Sequence, residues 1–153
     1  MTFEFYLGIH VPVWLTRLDV PMFLSRRRLR DYKRLPTATA GWSLDSGGFT
    51  EVHRGGWELT ASEYAVEVRR YAGEIGNMNW CAPQDWMCEK TALQATGLTV
   101  AEHQQRMADW QTHCAEWEDK DPCPVPGCMD PGVAYCAFEP GQCSQDGGTG
   151  VCK

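Results

Sequence analysis

The first eighty residues of this 153-residue chain contain no cysteine, whereas five of its eight cysteines lie between residues 123 and 152. A secreted, disulfide-stabilised domain spreads its cysteines through the fold and usually carries a leader peptide. The stretch MTFEFYLGIHVPVWL at the start has neither a positively charged leader nor a small-residue cleavage site. These absences argue against a disulfide-rich secreted domain and predict a cytoplasmic protein with two unlike parts.

The sequence also lacks an excess of positive charge and any long apolar run. No stretch approaches the roughly 18 apolar residues that cross a bilayer, so no membrane partner is predicted. The formal net charge of −6 argues against a protein surface that is basic overall and binds nucleic acid everywhere, but it allows a local basic patch. Six of the fourteen cations lie at Arg26, Arg27, Arg28, Arg30, Lys33 and Arg34. Arg26, Arg27 and Arg28 are therefore candidate contacts for a nucleic-acid backbone; the alternative is a solvated helix face.

Aromatic and β-branched segments alternate with segments of helical spacing. Strands are predicted at residues 3–11, 20–25, 40–46 and 78–87. A helical segment follows each of them, including residues 26–36, and the pairs Thr60 with Glu63 and Thr99 with Glu102 are capping boxes. Strands that alternate with helices predict a parallel sheet with right-handed crossovers, which is an α/β architecture.

Two of the predicted helices carry an apolar stripe. Tyr64, Val68 and Tyr71 recur at helical spacing in the first. The second stripe consists of Val100, His103, Met107, Trp110, Cys114 and Trp117. Because His103 shares this face with large apolar side chains, packing is predicted for it rather than ligation.

The strand at residues 40–46 runs into Asp45-Ser46-Gly47-Gly48-Phe49. In α/β sheets, ligands bind beyond the carboxyl ends of the strands. The glycines allow a flat ligand to approach the backbone, the Asp45 carboxylate can accept hydrogen bonds or move a proton, and Phe49 offers a stacking face. The combination predicts a site for a planar base. The alternative is a plain turn in which Asp45 caps local N–H groups.

Polar residues also stand at the ends of two other predicted strands. The next predicted strand in the chain after that of Asp45 is residues 78–87, and Asp85 lies near its end with Gln84 beside it. Because neighbouring strands lie about 5 Å apart, the carboxylates of Asp45 and Asp85 are expected to lie together at the carboxyl edge of the sheet, in an opening that we call the mouth. The alternative is that Asp85 is an acidic loop residue exposed to water. His10 ends the first strand and either lines this mouth or is a satisfied buried histidine.

Six segments resemble one enzyme family, and they occur in the family's order: FYLGIH, SRRRL, LDSGGFTEV, EYAVEVRRY, APQDWMCE and TGLTVAEHQQR. LDSGGF is similar to the signature of the tRNA-guanine transglycosylases. The wider pattern resembles their DpdA-type relatives in bacteria and phages, which place 7-deazapurines in DNA. The resemblance implies that residues 1–118 form the N-terminal part of a (β/α)8 TIM-type barrel, with its strands and helices in order.

The resemblance implies an exchange of guanine in a nucleic acid, DNA rather than RNA, for a 7-deazaguanine derivative. Asp45 matches the family aspartate that contacts the base and serves in acid–base steps. Ser46, Gly47 and Gly48 match the loop that lines the base pocket, and Phe49 matches the ring that stacks on the purine. Asp45 is accordingly the predicted catalytic residue, and the other four are predicted to bind substrate.

The second family aspartate, which recognises the base edge, is matched by Asp85, and Gln84 is a weaker match. The family nucleophile is a further aspartate for which this chain has no matching segment, so no turnover is expected from the chain alone. A full barrel needs about 250 residues. The implied partners are therefore DNA, a 7-deazaguanine base and, where the barrel is completed in trans, a second polypeptide. The alternative is a non-catalytic module that binds nucleic acid or protein and has a vestigial pocket.

Residues 119–153 are predicted to be an irregular tail, because they are rich in cysteine, proline and glycine and show no periodicity. The tRNA enzymes of the resembling family hold a structural zinc through a Cys-x-Cys-x2-Cys set and a later histidine. Here Cys123 and Cys128 are spaced Cys-x4-Cys with no histidine after them. No metal or other cofactor is therefore predicted, and a change of reading frame or disorder is favoured over a zinc appendage.

Overall fold

The structure, a computed structural model, describes residues 5–118, with side chains described through residue 110. Within that range, four strands form one sheet: β1 (Leu7–Ile9), β2 (Met22–Ser25), β3 (Trp42–Asp45) and β4 (Met78–Cys81). Their order is β1-β2-β3-β4, and every neighbouring pair is parallel. The predicted α/β class with a parallel sheet is thus confirmed. The cysteine-rich tail predicted at residues 119–153 lies outside the described residues.

Four α-helices accompany the sheet: α1 (Gly48–His53), α2 (Ala61–Ile75), α3 (Lys90–Thr96) and α4 (Val100–Glu118). Both predicted capping boxes are confirmed. Thr60 Oγ1 accepts a hydrogen bond from the Glu63 N–H, and the Glu63 carboxylate accepts one from the Thr60 N–H. Thr99 and Glu102 make the same reciprocal pair ahead of α4. None of the helices in the described range is long and apolar enough to cross a membrane.

The main core lies between one face of the sheet and α2. Alternation along the strands turns Leu24, Trp42 and Leu44 towards this side, where they are fully buried. The stripe of α2 packs on them, and its members Tyr64, Val68 and Tyr71 are buried as predicted. On α4, His103 and Trp110 are buried, whereas the side chains of Cys114 and Trp117 are outside the described part.

The helix predicted at residues 26–36 is wrong. Arg26–Arg28 form a single 3₁₀ turn, and turns and irregular backbone follow to the start of β3. The long-range contacts of this segment explain the difference. Arg26 is drawn into the core by acidic side chains, and Arg70 on α2 donates to the backbone oxygen of Tyr32, which a helix would use internally.

The strand predicted at residues 78–87 is shorter in the structure, because pairing ends at Cys81. The Ala82 N–H still donates to Leu44 O at 2.8 Å, but Pro83 has no N–H with which to continue the ladder. The chain from Pro83 onward is therefore free to form a loop. This loop carries Asp85 over the carboxyl end of β3.

Candidate functional site

The loop after β3 stands at the carboxyl edge of the sheet. Asp45 is the last residue of β3 and pairs in register with Ser25, the last residue of β2. Ser46 is buried, and its hydroxyl accepts a hydrogen bond from the Gly48 N–H at 3.3 Å. Gly47 has a φ of 78° and caps α1, a conformation that an L-residue adopts only at a cost. The four residues therefore turn the chain sharply while leaving the Asp45 side chain partly exposed.

Gly48 is the point at which the two predicted acidic loops meet. A Cβ at Gly48 would lie 2.7 Å from the Asp85 Cβ and 2.8 Å from the Asp85 carbonyl oxygen. That oxygen also accepts a hydrogen bond from Trp57 Nε1 at 3.1 Å. The missing side chain thus allows close approach by the neighbouring protein backbone. As a consequence, Asp85 is fixed beside the loop that carries Asp45.

The environment of Asp85 raises the pKa of its carboxyl group. Burial is the largest cause, and the negative charges of Glu89 and Asp45 add to it. Among the residues that the structure describes, no hydrogen-bond donor or cation contacts the side chain of Asp45 or Asp85. Two nearby carboxyl groups that no side chain of residues 5–110 engages are suited to receive a ligand that presents hydrogen-bond donors and an acceptor.

The raised pKa of Asp85 predicts a pH-dependent stability. Because the folded state holds this proton more tightly than the unfolded chain, the stabilising contribution is fully present below the ordinary pKa of 3.8 and is lost as pH rises through the raised pKa. Asp85→Asn removes this loss. In urea denaturation, the free energy of unfolding of the variant should therefore increase relative to that of the wild type as pH rises from about 4 through the raised pKa of Asp85. A difference that stays constant with pH would contradict the prediction.

The structure does not bring Gln84 to the mouth. Its side chain is 2 % exposed, and its Nε2 donates to the carbonyl oxygens of Leu59 at 2.9 Å and Thr60 at 3.4 Å. The amide thereby ties the loop after β4 to the start of α2. A role in binding the base edge stays a prediction for Gln84, with its amide nitrogen already engaged.

Phe49 and His10 are both exposed at the carboxyl edge. Phe49 is 66 % exposed on α1, and its ring stacks on that of His53 with a centroid distance of 4.2 Å. One face of the phenyl ring is thus covered by His53. His10 follows β1 directly, level with the end of β2 in the sheet register, and is exposed rather than buried.

The three consecutive arginines after β2 have different environments. Arg26 is buried: its guanidinium binds the Glu67 carboxylate through Nε and Nη2 and lies 3.7 Å from Glu51 Oε1. Arg27 is partly buried beside the Asp-Ser-Gly-Gly loop, and Arg28 is exposed. For Arg27 and Arg28 a contact with a nucleic-acid backbone stays a prediction, whereas Arg26 is occupied inside the protein.

Two aromatic residues for which the sequence predicts no role in the site hold its loops in place. Tyr64 is fully buried and its hydroxyl donates to Ala82 O at 2.7 Å, at the start of the Asp85 loop. Burial raises the pKa of this hydroxyl, so it stays a donor. The indole N–H of Trp57 donates a hydrogen bond to the backbone carbonyl oxygen of Asp85 and so holds this loop in place. Tyr64 is signalled only as part of the helix stripe, and Trp57 carries no local signal because its partner is 28 residues away.

A family model described as DpdA, DeoxyPurine in DNA protein A, matches residues 1–139 of the chain. The chain belongs to the DpdA family. This family confirms the resemblance seen in the sequence and supports a transglycosylase-like role in DNA modification, with DNA as the substrate. Searches of curated proteins and of solved structures found no match.

The structural zinc of the tRNA enzymes finds no ligand group in the described part of this DpdA-family chain. Residues 5–110, whose side chains the structure describes, contain no cluster of three or more histidine, cysteine, aspartate or glutamate side chains that could hold a metal ion. Cys123 and Cys128, on which the prediction about zinc depends, lie outside that range. The absence of a cofactor therefore stays a prediction.

Proposed function

We propose that this chain binds a purine base at the carboxyl edge of its sheet, as the base-handling part of a transglycosylase. In this reaction, guanine in DNA is replaced by a 7-deazaguanine derivative. The observation that carries the proposal is the approach of Asp45 and Asp85, whose loops touch at Gly48 and whose carboxyl groups interact electrostatically. Family membership supplies the substrate class.

The sheet order supports a barrel of the (β/α)8 type. Four parallel strands that are neighbours in sequence and in space correspond to one half of such a barrel. A doubly wound sheet would instead reverse its strand order and bind its ligand at the reversal. We propose that β1 to β4 are the first four strands of the barrel, with the mouth at their carboxyl ends.

The two carboxyl groups match the hydrogen-bonding edge of guanine. The Asp45 carboxyl group can accept from the ring N1–H and the exocyclic amine, while the raised pKa of Asp85 favours its protonated form, which can donate a hydrogen bond. The acceptor O6 is present in both guanine and 7-deazaguanine, whereas N7 is present only in guanine. A donor directed at O6 would therefore hold the leaving and the entering base alike.

The exchange balances without an oxidant or reductant. The bond between C1′ and N9 of guanine breaks, and the same C1′ forms a bond to N9 of the entering base. The N9 proton of the entering base is released, and the departing guanine takes up a proton. The part of this chain is to hold the base and to move protons, for which the carboxyl groups of Asp45 and Asp85 are available because no hydrogen bond or ion pair within the described residues engages them.

Calorimetric titration with a 7-deazaguanine base tests the proposal directly. Asp85→Ala should weaken base binding roughly tenfold or more, because the donor to O6 is removed, and Asp45→Asn should do the same, because a hydrogen bond to a charged group is lost. Asp19→Asn makes the same chemical change at an exposed residue next to β2 at the amino edge, and should leave the affinity unchanged.

Two outcomes contradict the proposal. If the wild-type chain binds DNA but is indifferent to the base, the non-catalytic binding module is the better account. If all three variants lose affinity equally, the effect is a general change of charge and not a contact in the mouth. Thermal unfolding of each variant separates loss of binding from loss of fold.

A further inference from the structure

Arg27 is a guanidinium that the described residues do not neutralise. Its Nη1 donates to Thr50 Oγ1 at 2.8 Å, but its Nε is buried and has no hydrogen-bond partner among them. Nor does any carboxylate in residues 5–110 lie within ion-pair distance of it. The charge of Arg27 is therefore available to an external anion, which can reach the part of the guanidinium that is not buried.

The position of Arg27 relates it to the mouth. Its side chain packs on Gly47, where an added Cβ would lie 2.9 Å from Arg27 Cγ and 3.2 Å from Cδ. Gly47 is two residues from Asp45, and Arg27 is two residues from Ser25, which pairs with Asp45 in the sheet. The cation therefore stands at the rim of the carboxylate pair without forming an ion pair with either acid.

A ligand that binds both the carboxyl pair of Asp45 and Asp85 and the guanidinium of Arg27 carries hydrogen-bond donors and, a short distance from them, an anionic group. A nucleotide has this form, because its base carries the N–H groups and its backbone carries the phosphate. We propose that Arg27 binds a phosphate of the DNA strand whose base occupies the mouth. This inference rests on the proposed function and adds a specific contact to it.

The geometry of Arg27 leaves the right donors available. Its Nη2 makes no hydrogen bond within the described residues and is not buried, so it is open to solvent. A guanidinium matches phosphate oxygens with paired donors, which a point charge does not. Arg26 cannot share the task, because Glu67 and Glu51 already surround it.

The test is the salt dependence of binding to a guanine-containing single-stranded oligonucleotide, followed by fluorescence anisotropy. Arg27→Gln should weaken binding about tenfold and reduce the slope of log K against log salt by about 0.7, the value for one phosphate contact on a single strand. The control is Arg17→Gln, which removes the same charge from an exposed residue at the amino edge, next to Leu18, whose carbonyl oxygen accepts a hydrogen bond from Thr39. It should change neither the affinity nor the salt slope.

Arg27→Lys separates charge from geometry and also covers a failure of Arg27→Gln to fold. It should keep the slope and lose part of the affinity, because one charge remains while the paired donors are gone. Equal losses in Arg17→Gln and Arg27→Gln, an unchanged slope in Arg27→Gln, or no binding of the oligonucleotide by the wild type would overturn the inference.

Titration with the free 7-deazaguanine base distinguishes this inference from the proposed function. Arg27→Gln should bind the free base as the wild type does, because that ligand carries no phosphate. A loss of free-base binding in Arg27→Gln would mean that Arg27 only supports the loop, and would overturn the phosphate contact alone. Wild-type protein that binds the oligonucleotide but not the free base would instead refute the base site.

Discussion

Arg26→Met should lower the free energy of unfolding by roughly 3–5 kcal/mol, because it removes the buried cation that Glu67 and Glu51 share and leaves Glu51 only its 3.8 Å ion pair with Arg30. Arg26 is 5 % exposed and holds Glu67 through two hydrogen bonds, with Glu51 at 3.7 Å. Methionine has a similar length and fills the space, so the loss is electrostatic and not a cavity. Urea denaturation at neutral pH gives the comparison.

The matched control for Arg26→Met is Arg28→Met, two residues along the same turn. Arg28 is exposed and makes none of the ion pairs seen in the described residues, so its replacement should change the free energy of unfolding by less than about 0.5 kcal/mol. Adding Glu51→Gln to Arg26→Met removes the buried negative charge that only Arg30 would still pair with, and should recover part of the loss. Similar losses for both arginines would show that Arg26 is not buried in an ion-pair network.

Gly48→Ala should destabilise the fold by roughly 1–3 kcal/mol and also abolish binding of the base. The added methyl group would lie 2.7 Å from Asp85 Cβ and 2.8 Å from Asp85 O. The contacting carbonyl is backbone that Trp57 already holds, so the Asp85 loop has to move away from Asp45. Urea denaturation measures the first effect, and calorimetry with a 7-deazaguanine base measures the second.

Gly73→Ala provides the matched control for Gly48→Ala. Gly73 lies inside α2 with nothing within 4 Å of an added Cβ. Because glycine is unfavourable in a helix interior, this variant should gain up to about 1 kcal/mol and bind the base normally. Base binding that survives in Gly48→Ala would disprove the need for contact between the two loops.

Both predictions concern the support of the site. Arg26 connects the turn after β2 to α1 and α2, and Gly48 connects the loop after β3 to the loop after β4. The carboxyl edge is therefore held by contacts between segments that are far apart in sequence. Loss of either contact is expected to disturb the mouth without removing a group that touches the base.

The elements that the sequence predicted well are those with a local signal. The capping boxes at Thr60 and Thr99 satisfy the first N–H groups of α2 and α4 through residues only three positions away, so their pattern is visible in the chain. The short helices α1 and α3 were not predicted, because six or seven residues give too little periodicity. The helix predicted at residues 26–36 was wrong for the opposite reason: tertiary contacts override a local preference.

The sequence by itself determined the α/β class, the starts of the two long helices, the family and the positions of Asp45 and Asp85 after neighbouring strands. Each of these depends on periodicity or on a motif within one segment. Only the tertiary structure decided that Arg26 is buried while Arg27 stays without a carboxylate, and that the backbone of Asp85 fills the space above Gly48. The reason is physical: burial, ion pairing and a raised pKa depend on which distant segments pack together, and no single segment of the sequence determines that packing.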